Sequence, residues 1–351
     1  MVEKPASGKK SRAGTRLMKA LFIGLGGVGQ RHLRNLLSLR PDCQIGAVRH
    51  KGRSFEIGSD LKPDYSVDIM TKYHIQGFDN LDQAIDWQPD IAIVASPSSK
   101  HVWSALPLLR ANIPTFIEKP VADNQTDAEL LLQAAKNSNT LGVAGFVFQF
   151  HPATRKVSEW LAKDALGKLS SAQIVCHNFL PFIHSYEKME EFYIGRKDLG
   201  GGAILSEIHS LEILTRFFGY PEKIMALGGR RGSFPCDVED TASALCLCPG
   251  GLPVSLHISI VEYPPERSLT IHGEKGLIRW EPLANRAILI NRQAGTEERV
   301  EVPNFNFNQL FIEAMAEFLD CRAENKESIN SLANCHNAQR LAEAMLSQVE
   351  R

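Results

Sequence analysis

The chain has 351 residues, enough for about two domains of ordinary size. Its 44% hydrophobic content, 23% charged content and formal net charge of -1 are ordinary for a globular protein and point to neither nucleic acid nor membrane as a partner. No apolar run is long enough to span a bilayer. The seven cysteines are scattered, without a CxxC pair or a Cys/His quartet. This usage predicts reduced thiols, no metal site and a cytoplasmic location.

A short basic tail is predicted to precede the first domain. Residues 1–17 are basic and contain little that is apolar, which is typical of a disordered segment and not of a secretory signal. Between residues 18 and 150, short apolar runs alternate with helical segments, which indicates a parallel sheet covered on both faces. The predicted strands are residues 20–24, 44–48, 91–95, 114–118 and 141–144, and the predicted helices are residues 30–39, 81–87, 99–110 and 126–136.

The pattern changes after residue 152, and residues 151–351 are predicted to form an α+β domain. Several of its apolar runs alternate with polar residues, as in an antiparallel sheet that is covered on one face. The predicted strands are residues 171–177, 223–226, 241–248, 253–260, 268–272, 277–280 and 287–290. Helices are predicted at residues 153–163, 307–318 and 334–348.

A glycine loop follows the first strand and opens the first helix. It consists of Gly24, Leu25, Gly26, Gly27, Val28 and Gly29. In such a loop Gly24 permits a tight turn, Gly26 lets the backbone approach a pyrophosphate, and Gly29 lets the helix pack on the sheet. The helix N-terminus then faces the phosphates with free N–H groups. The motif therefore predicts that these six residues bind a dinucleotide.

The residues after the second strand bear on the choice of dinucleotide. An acidic residue there usually holds the ribose hydroxyls of NAD, but here Arg49, His50, Lys51 and Arg53 follow without a carboxylate. A basic cluster suits the 2′-phosphate, so NADP is favoured over NAD and Arg49 is a candidate ligand. The alternative is that these are solvated loop charges and that the ribose is held by other groups.

Three further segments carry a resemblance to a known family. They are Ala95–His101 with Ser96-Pro97, the sequence Glu118-Lys119-Pro120, and the run from Gly200 to His209; Phe150-His151-Pro152 marks the domain junction. In this order they resemble the glucose-fructose oxidoreductase / inositol dehydrogenase (Gfo/Idh/MocA) family. The resemblance implies an N-terminal Rossmann domain and a C-terminal domain with a large open, mostly antiparallel sheet. It also implies hydride transfer between a nicotinamide and a carbinol carbon of a sugar, polyol or derivative, in a homodimer or homotetramer.

Elementary chemistry supports the positions that the resemblance marks. Ligands of open α/β sheets bind beyond the carboxyl ends of the strands, where Ser96, Glu118 and Lys119 are predicted to lie. A carbinol that loses hydride needs a group that holds its oxygen and a group that accepts its proton. Lys119 and His209 are the predicted catalytic residues for these two tasks. Ser96, Pro97, His101, Glu118 and Lys119 are predicted near the cofactor, with His32 and His101 in structural roles.

One departure from the family pattern concerns the acidic residue that precedes the histidine. Its position falls on Ser206, and Glu207 comes one step later, which turns it about 100° around a helix. Either Glu207 replaces the acid through a local shift, or the acid is absent and Ser206 binds substrate. The departure keeps a second reading open, a lyase or glycosidase that oxidises its substrate transiently and retains NAD. A non-catalytic dinucleotide-binding sensor is the third.

Residues 178–197 precede the glycine run and are polar, aromatic and basic. They are predicted to line a substrate pocket together with Lys119, Ser206 and His209. The candidate residues in this segment are His184, Tyr186 and Arg196, of which Arg196 suits a phosphate or carboxylate. The alternative is an ordinary connecting loop.

Overall fold

A computed structural model describes residues 16–48, 54–59, 61–180, 188 and 191–350, so most of the predicted basic tail lies outside the described residues. The elements of the first domain are β1 (Lys19–Ile23), α1 (Gly27–Leu39), β2 (Gln44–Val48), β3 (Phe55–Ile57), β4 (Pro63–Asp68), α2 (Ile69–Lys72), β5 (Gln76–Phe78), α3 (Leu81–Asp86), β6 (Ile91–Val94), α4 (His101–Arg110), β7 (Thr115–Ile117), α5 (Gln125–Asn137) and β8 (Gly142–Ala144).

A six-stranded parallel sheet forms the centre of this domain, in the order β5-β2-β1-β6-β7-β8. The prediction of a parallel sheet is thus confirmed. It succeeds because the strands are buried on both faces and therefore consist of continuous apolar runs. The strand order reverses direction between β1 and β6. Ligands of doubly wound sheets bind at this switch point, beyond the carboxyl ends of the strands.

The second domain holds an eight-stranded sheet. Its elements are α6 (Pro152–Ala162), β9 (Leu169–Phe179), α7 (Ala203–Ser206), α8 (Ile208–Phe218), β10 (Lys223–Gly229), β11 (Thr241–Cys248), β12 (Leu252–Ser259), β13 (Val261–Gly273), β14 (Gly276–Glu281), β15 (Arg286–Asn291) and β16 (Thr296–Glu301), followed by α9 (Asn308–Glu324) and α10 (Leu332–Leu346). The strand order is β10-β11-β12-β9-β13-β14-β15-β16, and only the β12–β9 pair is parallel. The mostly antiparallel sheet is therefore confirmed.

One face of this sheet is covered by helices and the other is open. In β11, Ala242, Ala244 and Cys246 are buried, whereas Ser243 and Leu245 between them are exposed. Helices α6, α7 and α8 pack on the covered face. All seven cysteines are free thiols, and all are buried.

The last two helices return to the first domain. The side-chain amide of Asn308 in α9 donates to Asn35 in α1 at 2.9 Å, and the ring of Phe318 packs edge-on against Phe116 of β7 at 5.8 Å. α10 packs on both α5 and α8. The C-terminal helices therefore join the two domains. No helix in the described part of the chain is both long and apolar enough to cross a membrane.

Candidate functional site

The glycine loop has the geometry that its sequence predicts. Gly24 has a φ of +94°, and a Cβ there would lie 2.8 Å from the carbonyl oxygen of Ala95. A Cβ on Gly29 would lie 2.3 Å from the carbonyl oxygen of Gly24. A Cβ on Gly26, by contrast, would meet no atom within 4 Å. Gly24 and Gly29 thus serve the fold, while Gly26 leaves open space at the start of α1, where a pyrophosphate is expected.

A second loop follows β6 beside the glycine loop. The hydroxyl of Ser96 is buried and has no hydrogen-bond partner within the described ranges, and Pro97 leads into a turn of 3-10 helix. His101 is buried, with ring Nε2 2.8 Å from the carbonyl oxygen of Ser96 and Nδ1 2.9 Å from that of Pro120. Burial lowers the pKa of His101. His101 therefore ties the loop after β6 to the loop after β7.

Glu118 and Lys119 follow β7. Oε1 of Glu118 lies 2.6 Å from ring Nε2 of His32, and Oε2 accepts the backbone N–H of Lys119 at 3.0 Å. Burial acts to raise the pKa of Glu118, but the hydrogen bond and charge of His32 and the charge of Lys119 outweigh it and lower the pKa. The Glu118 carboxylate, which was predicted to lie near the cofactor, thus also holds the backbone at Lys119.

The structure brings Lys119, Ser206 and His209 together. Nζ of Lys119 donates to the backbone carbonyl oxygen of Ser206 at 2.8 Å. His209 is buried, with Phe146 and Phe148 edge-on to its ring at 5.5 and 5.0 Å. Burial holds the pKa of His209 well below its ordinary value, and the positive charges of Lys119 and Arg267 lower it further. The imidazole is therefore neutral at pH 7 and able to accept a proton.

Glu207 does not take the place of the family's acid. It lies between α7 and α8, and its carboxylate accepts hydrogen bonds from Asn178 at 2.5 Å, from the Cys176 thiol at 3.2 Å, and from Arg267. Of the two alternatives drawn from the sequence, the structure favours the absent acid. The side chain at the acid's position is the hydroxyl of Ser206, which is buried without a partner in the described parts of the chain.

The other predicted substrate and cofactor residues lie apart or outside the described ranges. Arg196 is partly exposed and forms a two-pronged ion pair with Asp198, with distances of 2.9 and 2.6 Å. His184, Tyr186 and Arg49 lie outside the described residues.

Three buried polar atoms in this region have no hydrogen-bond partner among the described residues: Oγ of Ser96, Oγ of Ser206 and Nδ1 of His209. Buried polar atoms in native proteins are almost always satisfied, so these three atoms, of which Ser96 follows a strand end and the other two lie in α7 and α8, fit contact with a bound ligand. Together with the open side of Gly26, they show that the residues present fit a dinucleotide and a polar substrate.

The sequence predictions missed Arg267. This residue contacts Glu207, and its positive charge lowers the pKa of His209. One signal was available: Arg267 has the same strand parity as the buried residues Leu269 and Ile271. A charged residue at a buried strand position requires a partner.

Comparison with known proteins agrees with this geometry. Residues 18–146 match the family described as oxidoreductases with an NAD-binding Rossmann fold, and residues 154–279 match the GFO/IDH/MocA C-terminal domain. The myo-inositol 2-dehydrogenase of Thermotoga maritima is 21% identical over 289 residues, which cover 79% of each chain. The structure of a levoglucosan dehydrogenase in complex with NADH and levoglucosan superposes with a TM-score of 0.79, at 15% identity, covering 95% of this chain and 97% of the other.

Some similar proteins are matched only in part. The 2,7-anhydro-N-acetylneuraminate hydratase of Escherichia coli is 24% identical over 196 residues, which cover 54% of this chain and 51% of the hydratase. The matched segments span between 33% and 51% of this and three further curated relatives.

Proposed function

Because the chain belongs to the Gfo/Idh/MocA oxidoreductase family, we propose that it transfers hydride between a nicotinamide dinucleotide and a carbinol or carbonyl carbon of a sugar, polyol or sugar derivative. The names of the similar inositol and levoglucosan dehydrogenases support this substrate class. The observation that carries the proposal is the meeting of Lys119, Ser206 and His209 beyond the carboxyl end of β7.

Each of these residues has a task in the proposed reaction. A nicotinamide held by the glycine loop would provide the hydride acceptor or donor. The ammonium of Lys119, fixed by the Ser206 carbonyl, holds the reacting oxygen and stabilises its negative charge. Neutral His209 accepts the hydroxyl proton during oxidation and returns it during reduction. The hydroxyl of Ser206 hydrogen-bonds the substrate.

We propose NADP as the preferred cofactor, with Arg49 at its 2′-phosphate. The basic residues after β2 support this preference, since the position usually holds a carboxylate in NAD-binding proteins. Titration of the protein with NADPH and with NADH tests it by intrinsic fluorescence. We expect tighter binding of NADPH, and Arg49→Glu should reverse the order. Tighter binding of NADH by the unaltered protein would contradict the NADP preference but not the hydride transfer.

The test of the reaction compares Lys119→Met with the unaltered protein on a panel of polyols, aldoses, uronates and sugar nucleotides. At saturating NADPH or NADH we expect the variant to lose activity by about a thousandfold, since removal of a preorganised donor from a developing oxyanion has this size of effect. Lys168→Met, at an exposed lysine of the second domain, is the matched control. Full activity of Lys119→Met would exclude the proposed role of the lysine.

A second candidate function follows from the hydroxyl at position 206. In this alternative, the enzyme oxidises its substrate transiently and the reaction ends in elimination, hydration or glycoside cleavage. The presence of a hydratase among the similar proteins supports this alternative. Such a reaction would consume substrate with no net change in nicotinamide absorbance. Binding of dinucleotide without turnover of any panel member would favour the sensor instead.

We also propose that the open face of the eight-stranded sheet pairs with a second copy of the chain. Met225, Leu227 and Leu245 are 64%, 72% and 63% exposed, and Met225 lies directly opposite Leu245 on this face. Light scattering should report a dimer or tetramer, and Leu227→Lys should weaken it. Leu283→Lys, at an exposed leucine outside the sheet, is the control. A monomer at all concentrations would contradict this pairing.

The cytoplasmic location stays a prediction from the cysteine usage.

A further inference from the structure

A buried ion pair lies directly behind the candidate catalytic residues. The guanidinium of Arg267 in β13 donates to Glu207, and the side chains are only 9% and 10% exposed. Asn178 and the Cys176 thiol, both of β9, complete the hydrogen bonding of the carboxylate. Burial raises the pKa of Cys176 to about 12, so its thiol stays protonated and donates a hydrogen bond to the carboxylate. The pair is therefore compensated and well held.

Each member of the pair is connected to the site through a different contact. Glu207 is the residue between α7 and α8, next to Ser206, whose carbonyl oxygen holds Lys119. Arg267 lies over the ring of Phe148 at 4.6 Å, and that ring meets His209 edge-on. A second nitrogen of Arg267 donates to Ser210 at 3.4 Å, one residue beyond His209. The pair thus fixes the backbone and the aromatic wall on both sides of the histidine.

We propose that Glu207 and Arg267 are a positioning pair, which holds Ser206 and His209 in place and balances the electric field at the His209 ring. This inference rests on the proposed function, in which His209 carries the proton. Neither member of the pair has a free donor or acceptor role in the proposed reaction, because each is engaged with the other and with neutral partners.

The charges around His209 come from few elements. Lys119 faces it from the end of β7, and Arg267 faces it from β13. Glu207 precedes it in the chain, and Cys176 on β9 is neutral. Farther along α8 and α10 lie a second buried pair, Glu212–Arg216, with Cys335 beside it, and His336, which pairs with Glu129. Among the described residues, Lys119 and Arg267 are therefore the positive charges that act on the His209 ring, and Glu207 is the counter-charge of Arg267.

This arrangement predicts shifts of opposite sign. Glu207→Gln leaves the positive charge of Arg267 uncompensated, which disfavours protonated His209 and lowers its pKa further. Arg267→Gln leaves the negative charge of Glu207 uncompensated, which favours protonated His209 and raises its pKa. A single charge within about 4–6 Å of a titrating group moves its pKa by about 1–3 units. The double variant restores neutrality and should return the pKa of His209 close to that of the unaltered protein.

The experiment measures the pKa of His209 directly and needs no substrate. The full chain is labelled at histidine with ¹³C and ¹⁵N, its ring signals are followed from pH 8 to pH 5 by NMR, and the His209 signal is identified by its loss in His209→Asn. We expect Arg267→Gln to raise the titration midpoint by about one unit or more. We expect no onset of protonation in Glu207→Gln within this range.

A folded Arg267→Gln variant with an unchanged or lowered His209 midpoint would overturn the proposal, and so would a folded Glu207→Gln variant in which the midpoint rises. One folded single variant decides, because the sign is predicted for each; Arg267→Met and Glu207→Met provide a second side chain at each position. If no single variant folds, a folded double variant supports the compensated pair, and an unfolded double variant refutes it. NADH binding reports the integrity of the first domain.

The failure of this inference is distinguishable from failure of the proposed function. His209→Asn with undiminished turnover would refute the proton-transfer role without affecting the NMR result. Conversely, Lys119→Met and His209→Asn could both lack activity while the pair variants leave the His209 titration unchanged. That result would support the proposed reaction and refute only the positioning pair.

Discussion

Oε1 of Glu118 lies 2.6 Å from ring Nε2 of His32, and both side chains are buried. His32 belongs to the helix that begins at the glycine loop, while Glu118 precedes the candidate catalytic lysine. The contact therefore links the helix of the cofactor loop to the residue that is proposed to hold the substrate oxygen.

His32→Ala should destabilise the protein by about 2–4 kcal/mol, because it leaves a buried carboxylate without its partner. Urea unfolding measures this change. His336→Ala is the matched control, since His336 forms a more exposed pair with Glu129 at 3.0 Å and should cost less than about 1 kcal/mol. Equal losses in the two variants would show that the His32–Glu118 contact contributes nothing specific.

Two glycines of the loop should respond differently to the same added methyl group. Gly29→Ala should destabilise the fold by about 2–4 kcal/mol, because its Cβ would lie 2.3 Å from the carbonyl oxygen of Gly24. Gly26→Ala meets no protein atom within 4 Å and should fold normally, yet weaken NADPH or NADH binding at least about tenfold, or about 1.4 kcal/mol. Thermal unfolding and cofactor titration separate the two effects. Normal cofactor binding by a folded Gly26→Ala protein would place the pyrophosphate elsewhere.

Stability should fall on acidification below about pH 6.5, where an unfolded histidine begins to bind a proton. The pKa of His209 is lowered in the folded state, so the folded protein binds fewer protons than the unfolded chain between the two values, and stability decreases as pH falls. Each such histidine contributes up to about 1.4 kcal/mol per pH unit.

His209→Asn should therefore reduce the slope of unfolding free energy against pH between pH 6.5 and pH 5 by close to one proton. His74→Asn is the control: His74 is exposed, and its φ of +50° is readily adopted by asparagine. Urea titrations at four pH values give the slope. An unchanged slope in His209→Asn would mean that the ring is already protonated in the folded protein.

Ser206→Ala tests the hydroxyl at the position of the family's acid. This hydroxyl is buried without a partner in the described part of the chain, so its removal should leave stability unchanged or raise it by up to about 1 kcal/mol. If the hydroxyl binds substrate, kcat/KM should fall at least about tenfold. Ser158→Ala, whose hydroxyl bonds within α6, should leave activity unchanged. A stability loss with full activity would reassign Ser206 to the fold.

The sequence predicts the parts of this protein that follow from local pattern. Strands such as β6 are buried on both faces and read as continuous apolar runs, so the parallel sheet is evident before the structure is known. β16 is not evident, because its sequence Thr-Glu-Glu-Arg-Val-Glu is mostly charged; an edge strand tolerates such residues where a central strand would not. The short hairpin of β3 and β4 lacks a regular alternation for the same physical reason, since most of its residues are partly exposed.

The candidate site likewise contains residues that the sequence predicts and residues that it does not. Lys119 and His209 are found from motifs whose spacing is local. The Glu207–Arg267 pair joins residues 60 positions apart, and nothing in a single sequence states which buried charge meets which. The departure at Ser206 raised the question of where the neighbouring carboxylate goes, and only the tertiary structure answers it.

The return of α9 to the first domain has a consequence for biosynthesis. A ribosome that has produced the first 150 residues has made all six parallel strands but not Phe318, which packs on Phe116 of β7. Nor has it made Ser331, whose backbone pairs with Val143 of β8. The dinucleotide domain is therefore finished only when almost the entire chain has been translated, and a nascent chain stalled midway should depend on chaperones to shield the uncovered sheet.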